Sequence, residues 1–200
     1  MKVKGKREHQ GDATRKSLLA AARRHFGESG YVETSLDEVV AEAGVTKGAL
    51  YHHFRGKDDL FRAVYEQVQL EVSDAAVAEF LGPDPWISLE QGCSLWVAAH
   101  LDPAVQRITL QDARAVLGFA ESRAIENRYA AVALRGALRK AMVAGVLKPT
   151  PLRPLSLLLM GALSEGCWYI ADADDQAAAR AEVDALVVQL LSGFKVTPGG

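Results

Sequence analysis

The chain has 200 residues, 49% of them hydrophobic, and a formal net charge of −2. This length suffices to bury a substantial core, either in one domain or in two small domains that share an interface. The net charge excludes a generally basic protein that binds polyanions without selectivity. The charge is also uneven, because residues 1–62 carry 12 Lys and Arg against 9 Asp and Glu, whereas residues 63–200 carry 11 against 16. A weakly basic first third on an acidic remainder favours local contact with DNA.

The first eleven residues are polar and basic, and no apolar segment follows them. They are therefore not a secretory signal, and we expect the protein to remain in the cytoplasm. A basic arm over residues 1–11 either adds contacts to DNA phosphates and the minor groove or serves as a disordered solubilising tail. The first predicted helix, capped by Asp12 or Thr14, runs to about His25 and is closed by two glycines, Gly27 and Gly30.

Two short helices joined by a glycine turn are predicted over residues 34–54. Thr34 is the expected N-cap of the first helix, with Asp37 completing a capping box. Gly44 provides the sharp turn, because glycine reaches a left-handed conformation without the steric penalty that other residues suffer. Thr46 is the expected N-cap of the second helix. This pattern predicts a helix-turn-helix.

The second of these helices has its faces set by residue spacing. Leu50 and Phe54, four residues apart, are predicted to point into the core. The outward face then consists of the other pairs at this spacing, Lys47 with Tyr51 and Gly48 with His52. This face suits the major groove of DNA, because the lysine can contact phosphate, the glycine allows close backbone approach, and the tyrosine and histidine can form hydrogen bonds. The alternative is an ordinary solvated amphipathic helix.

These motifs and their surroundings resemble the tetracycline-repressor (TetR) family of bacterial transcription regulators. The similarity lies in residues 21–26, 30–31, 34–36, 43–54 and 57–60. It implies an all-α protein with a three-helix N-terminal head, residues 1–55, that contains the helix-turn-helix, and a C-terminal helical ligand-binding and dimerisation domain, residues 56–200. The candidate DNA-binding residues are then Thr34, Ser35, Thr46, Lys47, Gly48, Ala49, Tyr51, His52 and Lys57.

The remainder of the chain is predicted to be helical, because no alternating apolar and polar run of strand length occurs. A helix starting near Lys57 is expected to join the head to the body. Shorter helices follow it up to about residue 118, and a longer one covers residues 119–144. The last two helices, about 155–171 and 177–194, are apolar over more of their circumference than one buried stripe requires.

A second partner surface is therefore expected on these last two helices. Gly161, Ala162 and Gly166 permit close helix approach, so the pair is predicted to meet its symmetry mate in a homodimer. The alternative is a core helix with a wide apolar stripe. The segment 155–171 is broken by polar residues and is too short to span a bilayer, so no membrane contact is expected.

The resemblance implies a small-molecule effector that binds in the body and changes the spacing of the two DNA-reading heads. Aromatic groups with polar tips suit such a pocket, although core packing is the ordinary role of such side chains. The candidate lining is Trp96, His100, Phe119, Arg128, Tyr129 and Trp168. No cofactor or metal site is expected, because neighbouring histidines on one helix diverge and Cys93 and Cys167 lack ligand spacing.

The predicted function is a homodimeric DNA-binding transcription regulator, most simply a repressor that a small molecule releases from a palindromic operator in double-stranded DNA. One alternative is a transcriptional activator or a non-specific architectural protein. Another is a ligand-binding or enzymatic helical bundle whose head is only structural. No phosphate-binding glycine loop or nucleophile motif favours an enzyme.

Overall fold

A computed structural model of the chain describes the backbone of residues 2–196 and the side chains of residues 11–74 and 76–196. Within residues 2–196 the regular structure is helical, apart from a single antiparallel bridge between Leu147 and Lys195. The α-helices of this part of the chain are α1 Lys2–Glu33, α2 Leu36–Glu42, α3 Lys47–His53, α4 Lys57–Phe80, α5 Pro85–Ala99, α6 Pro103–Gln106, α7 Ala113–Leu117, α8 Phe119–Val143, α9 Leu152–Ala171 and α10 Gln176–Ser192. A π-helical segment, Arg107–Asp112, joins α6 to α7. The predicted all-α fold is confirmed.

The first of two compact units contains α1 to α3, α4 as far as Val68, and the segment Pro103–Ser122. Its core consists of buried apolar side chains from these helices: Leu18, Ala22, Phe26, Val39, Val40, Leu50, Phe54, Leu60, Phe61, Val64 and Ile108. The rings of Phe26 and Tyr31 meet the ring of Phe61 edge to face, with centroids 5.1 and 5.4 Å away. Aromatic pairs of this geometry add stability beyond the area they bury. Helices α2 and α3 therefore pack against a well-packed hydrophobic core.

Helix α1 is longer at both ends than its sequence pattern predicts. It begins at Lys2 rather than at Asp12 or Thr14, and it reaches Glu33. The predicted arm, residues 1–11, is thus helical from Lys2 onward, and the side chains up to residue 10 lie outside the described residues.

Gly27 does not end α1, because it is the point at which α1 approaches α6. A Cβ atom at Gly27 would lie 2.6 Å from the Cβ of Ala104, closer than two carbon atoms can pack. Gly30 has non-helical backbone angles, φ 82° and ψ 171°, so the first continuous helix stops at this glycine, as predicted, and a short turn follows it to Glu33. Of the two glycines that predicted a helix end, Gly27 instead marks a close contact, and Gly30 interrupts the helical backbone.

The second compact unit contains Gln69–Asp102 and the chain from Arg123 onward. Helix α9 packs against both α5 and α10. Arg180 of α10 donates hydrogen bonds to the Ser94 carbonyl and hydroxyl oxygens of α5, each 2.8 Å long. Gly166 of α9 faces Val183 of α10, where a Cβ would lie 2.8 Å from a valine methyl group. The close approach predicted for this glycine thus occurs between helices of one chain.

Two helices pass from one compact unit into the other. Helix α4 crosses after Val68, and α8 crosses after Ser122. The division into domains 1–55 and 56–200 stays a prediction.

Candidate nucleic-acid interface

Helix α2 begins with a capping box that lies one residue later than predicted. The Ser35 hydroxyl accepts a hydrogen bond from the Asp37 amide, 3.2 Å, and the Glu38 carboxylate accepts one from the Ser35 amide, 3.3 Å. Thr34 does not cap the helix, because its buried hydroxyl donates to the Gly30 carbonyl at 2.7 Å. The first turn of α2 is thus fixed by Ser35 and Glu38, and the Asp37 carboxylate is left for another role.

The turn between α2 and α3 contains Gly44 at φ 65°. A side chain at this left-handed residue would strain the backbone. Two residues later Thr46 caps α3, because its hydroxyl accepts from the Ala49 amide at 3.2 Å. Both expectations for this turn are confirmed, and together they set the direction in which α3 leaves α2.

Helix α3 has the inner and outer faces that its spacing predicts. Leu50 and Phe54 are 1% and 3% exposed, whereas the ring of Tyr51 is 57% exposed. The other three residues of the outer face are also exposed: Lys47, Gly48 and His52. The outer face is therefore exposed to solvent, and an α-helix with such a face fits into the major groove of DNA.

Lys47 is held by an acidic neighbour on α2. Its ammonium nitrogen lies 2.6 Å from the Asp37 carboxylate, and the hydrogen bond raises the pKa of Lys47 above its ordinary value. The two residues are ten apart in sequence and meet only across the glycine turn. Spacing within one helix therefore gave no sign of this pair.

Lys57 begins α4 and is engaged inside the first unit. Its ammonium donates to the Val32 carbonyl at 3.0 Å and lies 4.4 Å from the centre of the Tyr31 ring. The Tyr31 hydroxyl donates to Asp58, and burial together with this bond raises the pKa of Tyr31 to about 12. A phosphate contact by Lys57 would compete with the Val32 carbonyl, so this candidate residue is less accessible than Lys47.

The candidate effector residues fall into several environments. Trp96 of α5 and His100, the residue that follows α5 as its C-cap, are buried with ring centroids 4.0 Å apart. Phe119 belongs to the first unit, is 59% exposed and has the Arg114 guanidinium 5.8 Å from its ring centre. In the second unit the side chain of Arg128 is exposed, and those of Tyr129 and Trp168 are half-buried. The structure thus pairs two of the six residues.

The Trp96–His100 pair contains a buried polar atom without a partner. His100 Nδ1 lies 2.9 Å from the Trp96 carbonyl oxygen, and burial lowers the pKa of His100 to about 4, so its imidazole is neutral at pH 7. Trp96 Nε1 is buried and has no hydrogen-bond partner among the described residues. A buried donor left unpaired carries a free-energy cost.

Helices α9 and α10 expose an apolar surface within the second unit. A shallow hollow of about 450 Å³ lies between them and is lined by Ala162, Glu165, Gly166, Tyr169, Glu182, Val183, Leu186, Val187 and Leu190. Leu158, Leu186 and Leu190 are 73%, 57% and 48% exposed. Gly161 has open space where a Cβ would stand. Contiguous apolar exposure of this kind is typical of a protein interface.

Helix α9 is also long and apolar enough, by length and composition alone, to cross a membrane, and one third of its apolar window is buried. Core helices of soluble proteins and interface helices pass the same test. Among the described residues, no three His, Cys, Asp or Glu side chains form a group that could hold a metal ion.

Two family models match the chain. Residues 18–64 match the model described as "Bacterial regulatory proteins, tetR family". Residues 86–194, more than half of the chain, match the model described as "Tetracyclin repressor-like, C-terminal domain". The chain belongs to the TetR family. The resemblance carried by the helix-turn-helix motifs therefore extends through both parts of the protein.

Individual relatives agree with this assignment. A TetR-family transcriptional regulator from Pectobacterium atrosepticum has a similar crystal structure, with a TM-score of 0.81 and 35% identity over 96% of this chain and 98% of that one. The Transposon Tn10 TetC protein of Escherichia coli is 33% identical over 130 residues, 64% of this chain and 66% of that protein. The HTH-type transcriptional repressor BepR of Brucella suis is 36% identical over 80 residues, 39% of this chain and 38% of that protein. The chain thus spans less than two thirds of the length of these curated relatives.

Proposed function

We propose that this TetR-family protein is a homodimeric transcription repressor that binds a palindromic operator and is released by a small molecule. The observation that carries the proposal is the capped, exposed helix α3, whose outer face combines Lys47, Gly48, Tyr51 and His52 above the buried Leu50 and Phe54. A helix of this kind fits the major groove, and its N-terminal residues contact phosphates and base edges. The role is regulatory rather than catalytic, and it places the protein in the cytoplasm.

Sequence selection from a random pool of duplex DNA tests the DNA-binding part of the proposal. The full chain is expected to enrich a palindrome whose half-sites lie one helical turn, or a multiple of it, apart. A matched selection with a variant carrying Lys47→Gln and Tyr51→Ala is expected to enrich nothing. If the wild-type chain enriches no sequence at moderate salt, the regulator proposal is wrong.

Dimer formation through α9 and α10 supplies the two-fold symmetry that a palindrome requires. The exposed leucines of these helices and the hollow between them provide an apolar surface for a second copy of the chain. Helical pairs of two subunits commonly form four-helix interfaces of this type. The same surface explains why α9 is apolar over more than its buried face.

The effector is proposed to bind beside Trp96 and His100. A buried Trp96 Nε1 without a partner favours a ligand with a hydrogen-bond acceptor, and the neutral imidazole of His100 favours a ligand of largely apolar character. Such a ligand would satisfy the orphan donor, so its binding would remove a cost that the unoccupied protein carries.

A Trp96→Phe variant tests this site. Its unfolding temperature without any added compound is measured first, because the cavity left by the smaller ring lowers stability while removal of the unpaired donor raises it. A library compound that releases wild-type protein from the selected duplex is expected to bind the variant roughly 2- to 10-fold more weakly, the worth of one hydrogen bond. Trp86→Phe, a change on the same helix outside the pair, is the control, and equal binding to both variants would remove Trp96 from the site.

Hydrogen bonds in the first unit connect the π-helical segment to α1, so a shift caused by effector binding could be passed to the helix-turn-helix. The Asp112 carboxylate at the end of the π-helical segment accepts from the Tyr31 amide of α1 at 2.8 Å, and Arg107 donates to the Glu28 carbonyl. Helix α7 follows this segment, and α8 comes next and continues into the second unit. A ligand that shifts α8 would therefore act on α1 through Asp112, provided that the ligand binds the two states with different affinities.

A further inference from the structure

The exposed face of the head contains one acidic residue that lies directly against the candidate phosphate-binding lysine. Asp37 and Lys47 have side chains that are 64% and 61% exposed, and their charged atoms are 2.6 Å apart. An ion pair in contact with water on both sides gains little free energy and is screened by salt. The ion pair itself therefore adds little to fold stability, and the structural contribution of Asp37 is its negative charge in the first turn of α2.

Three other acidic residues of the first unit bind groups within the fold rather than on the outer face of α3. Glu38 completes the capping box of α2, and the Glu42 carboxylate accepts from Arg24 of α1. Asp59 accepts from the backbone amide of Arg55 at the start of α4, at 3.0 Å. The Asp37 carboxylate instead points to the outer side of α3, where it meets Lys47.

We propose that Asp37 is an intramolecular competitor of DNA phosphate for Lys47 and thereby lowers the affinity of the protein for DNA of any sequence. A phosphate that approaches Lys47 has to displace the Asp37 carboxylate, which carries the same charge. Because the pair is weak, the displacement is possible, but part of the gain from the phosphate contact is lost. The inference rests on the proposed function, since it assumes that α3 faces DNA.

Lower affinity for the backbone is useful to a regulator. A genome presents a large excess of non-specific sites, and contacts to phosphates supply most of the binding to them. A residue that weakens the phosphate contact leaves base-edge contacts by Tyr51 or His52 as a larger share of the total. It also keeps the operator complex weak enough for an effector to dissociate it.

The test compares wild-type protein with Asp37→Asn, which removes the charge and keeps the shape. Affinity is measured by fluorescence anisotropy for the selected duplex and for a scrambled duplex of the same length and composition, at several salt concentrations. The same change is made in a Lys47→Gln background, and Asp174→Asn, at an exposed position of the second unit, serves as the charge-matched control.

We expect Asp37→Asn to tighten binding roughly 2- to 5-fold on both duplexes at low salt, the range of a weak exposed ion pair. In the Lys47→Gln background, the increase in log affinity caused by Asp37→Asn should be less than half of the increase seen with Lys47 present. Asp174→Asn should not change the affinity. No gain, or a gain that stays above half without Lys47, overturns the inference, as does a loss confined to the selected duplex. A wild-type protein that binds duplexes but enriches no palindrome would instead remove the proposed function, while the scrambled duplex still tests the pair.

Discussion

Lys47 and Tyr51 lie one turn apart on the exposed face of α3, and their chemistry gives them different roles toward DNA. A lysine ammonium is a point charge that suits phosphate, which every sequence presents. A tyrosine hydroxyl donates or accepts one directed hydrogen bond, which a base edge satisfies only at certain positions. In the proposed function, the same face would therefore combine a contact that is independent of DNA sequence with one that depends on it.

Substitution at these two residues separates the roles. Lys47→Gln is expected to weaken binding to all duplexes alike and to reduce the slope of log affinity against log salt by about one, because one phosphate contact is lost. Tyr51→Phe is expected to change the preferred base at one position of each half-site, at a cost of roughly 1–3 kcal/mol on the original sequence. Anisotropy titrations over a set of single-base variants measure both, and equal losses on every sequence for Tyr51→Phe would contradict base contact.

Burial of His100 makes the folding stability of the protein depend on pH. Its pKa is about 4 in the folded protein because it is buried, whereas a histidine in an unfolded chain has a pKa near 6.5. The unfolded chain therefore takes up a proton first, so stability falls as the pH drops from about 6.5 and levels off below about 4. The loss amounts to about 3 kcal/mol in total.

Urea unfolding between pH 7 and pH 4 measures this effect. A His100→Gln variant lacks the titrating group, so its free energy of unfolding should fall less steeply over the same range, even if the variant is less stable at pH 7. Parallel pH profiles for the two proteins would show that His100 is not buried in neutral form.

At the scale of helices, the sequence predicted the elements well where the pattern depended on local chemistry. Thr46 and Gly44 act at the turn as expected, and Leu50 and Phe54 face inward. The local pattern was wrong at Thr34, because tertiary packing buries its hydroxyl against Gly30 and leaves the capping to Ser35. Two neighbouring hydroxyl residues offer equivalent caps until the rest of the head is placed.

Contacts between different helices were the part that the sequence did not reveal. Gly27 is a residue type typical of helix ends, but here its missing side chain leaves room for Ala104, which is 77 positions away in the chain. Asp37 is a residue type typical of helix caps, but its carboxylate pairs with Lys47 across the turn. Such roles depend on which helices meet, and the periodicity of a single helix contains no information about this.

The α9–α10 surface leads to a prediction at the helix scale. A Leu186→Glu, Leu190→Glu variant places two charges in the proposed interface, where desolvation opposes association. It is expected to be monomeric by sedimentation equilibrium, to keep its helical circular dichroism, and to bind the selected duplex at least about 100-fold more weakly, because one head cannot engage two half-sites.

Val132→Glu on α8, another exposed apolar position, is the matched control and should remain dimeric. If the double variant is still a dimer, the interface lies elsewhere on the second unit.

At the scale of the whole protein, the proposed regulator needs three parts that act together. In the proposed function, the head supplies a helix that reads a DNA groove, the last two helices supply the dimer interface, and the Trp96–His100 pair supplies a site whose occupancy changes the balance of states. Each part has its own chemical test, but only their combination yields a regulator that recognises two half-sites at a fixed spacing.

The most direct test of this central claim is the dependence of affinity on half-site spacing in the selected palindrome. Insertion of about 5 base pairs at the centre turns the two half-sites to opposite faces of the duplex, whereas insertion of about 10 restores their common face. We predict that full-length protein loses at least about 100-fold in affinity with the half-turn insertion, to the level of a single half-site. Affinity that is unchanged by the half-turn insertion would contradict a rigid dimer that presents two α3 helices to one face of DNA.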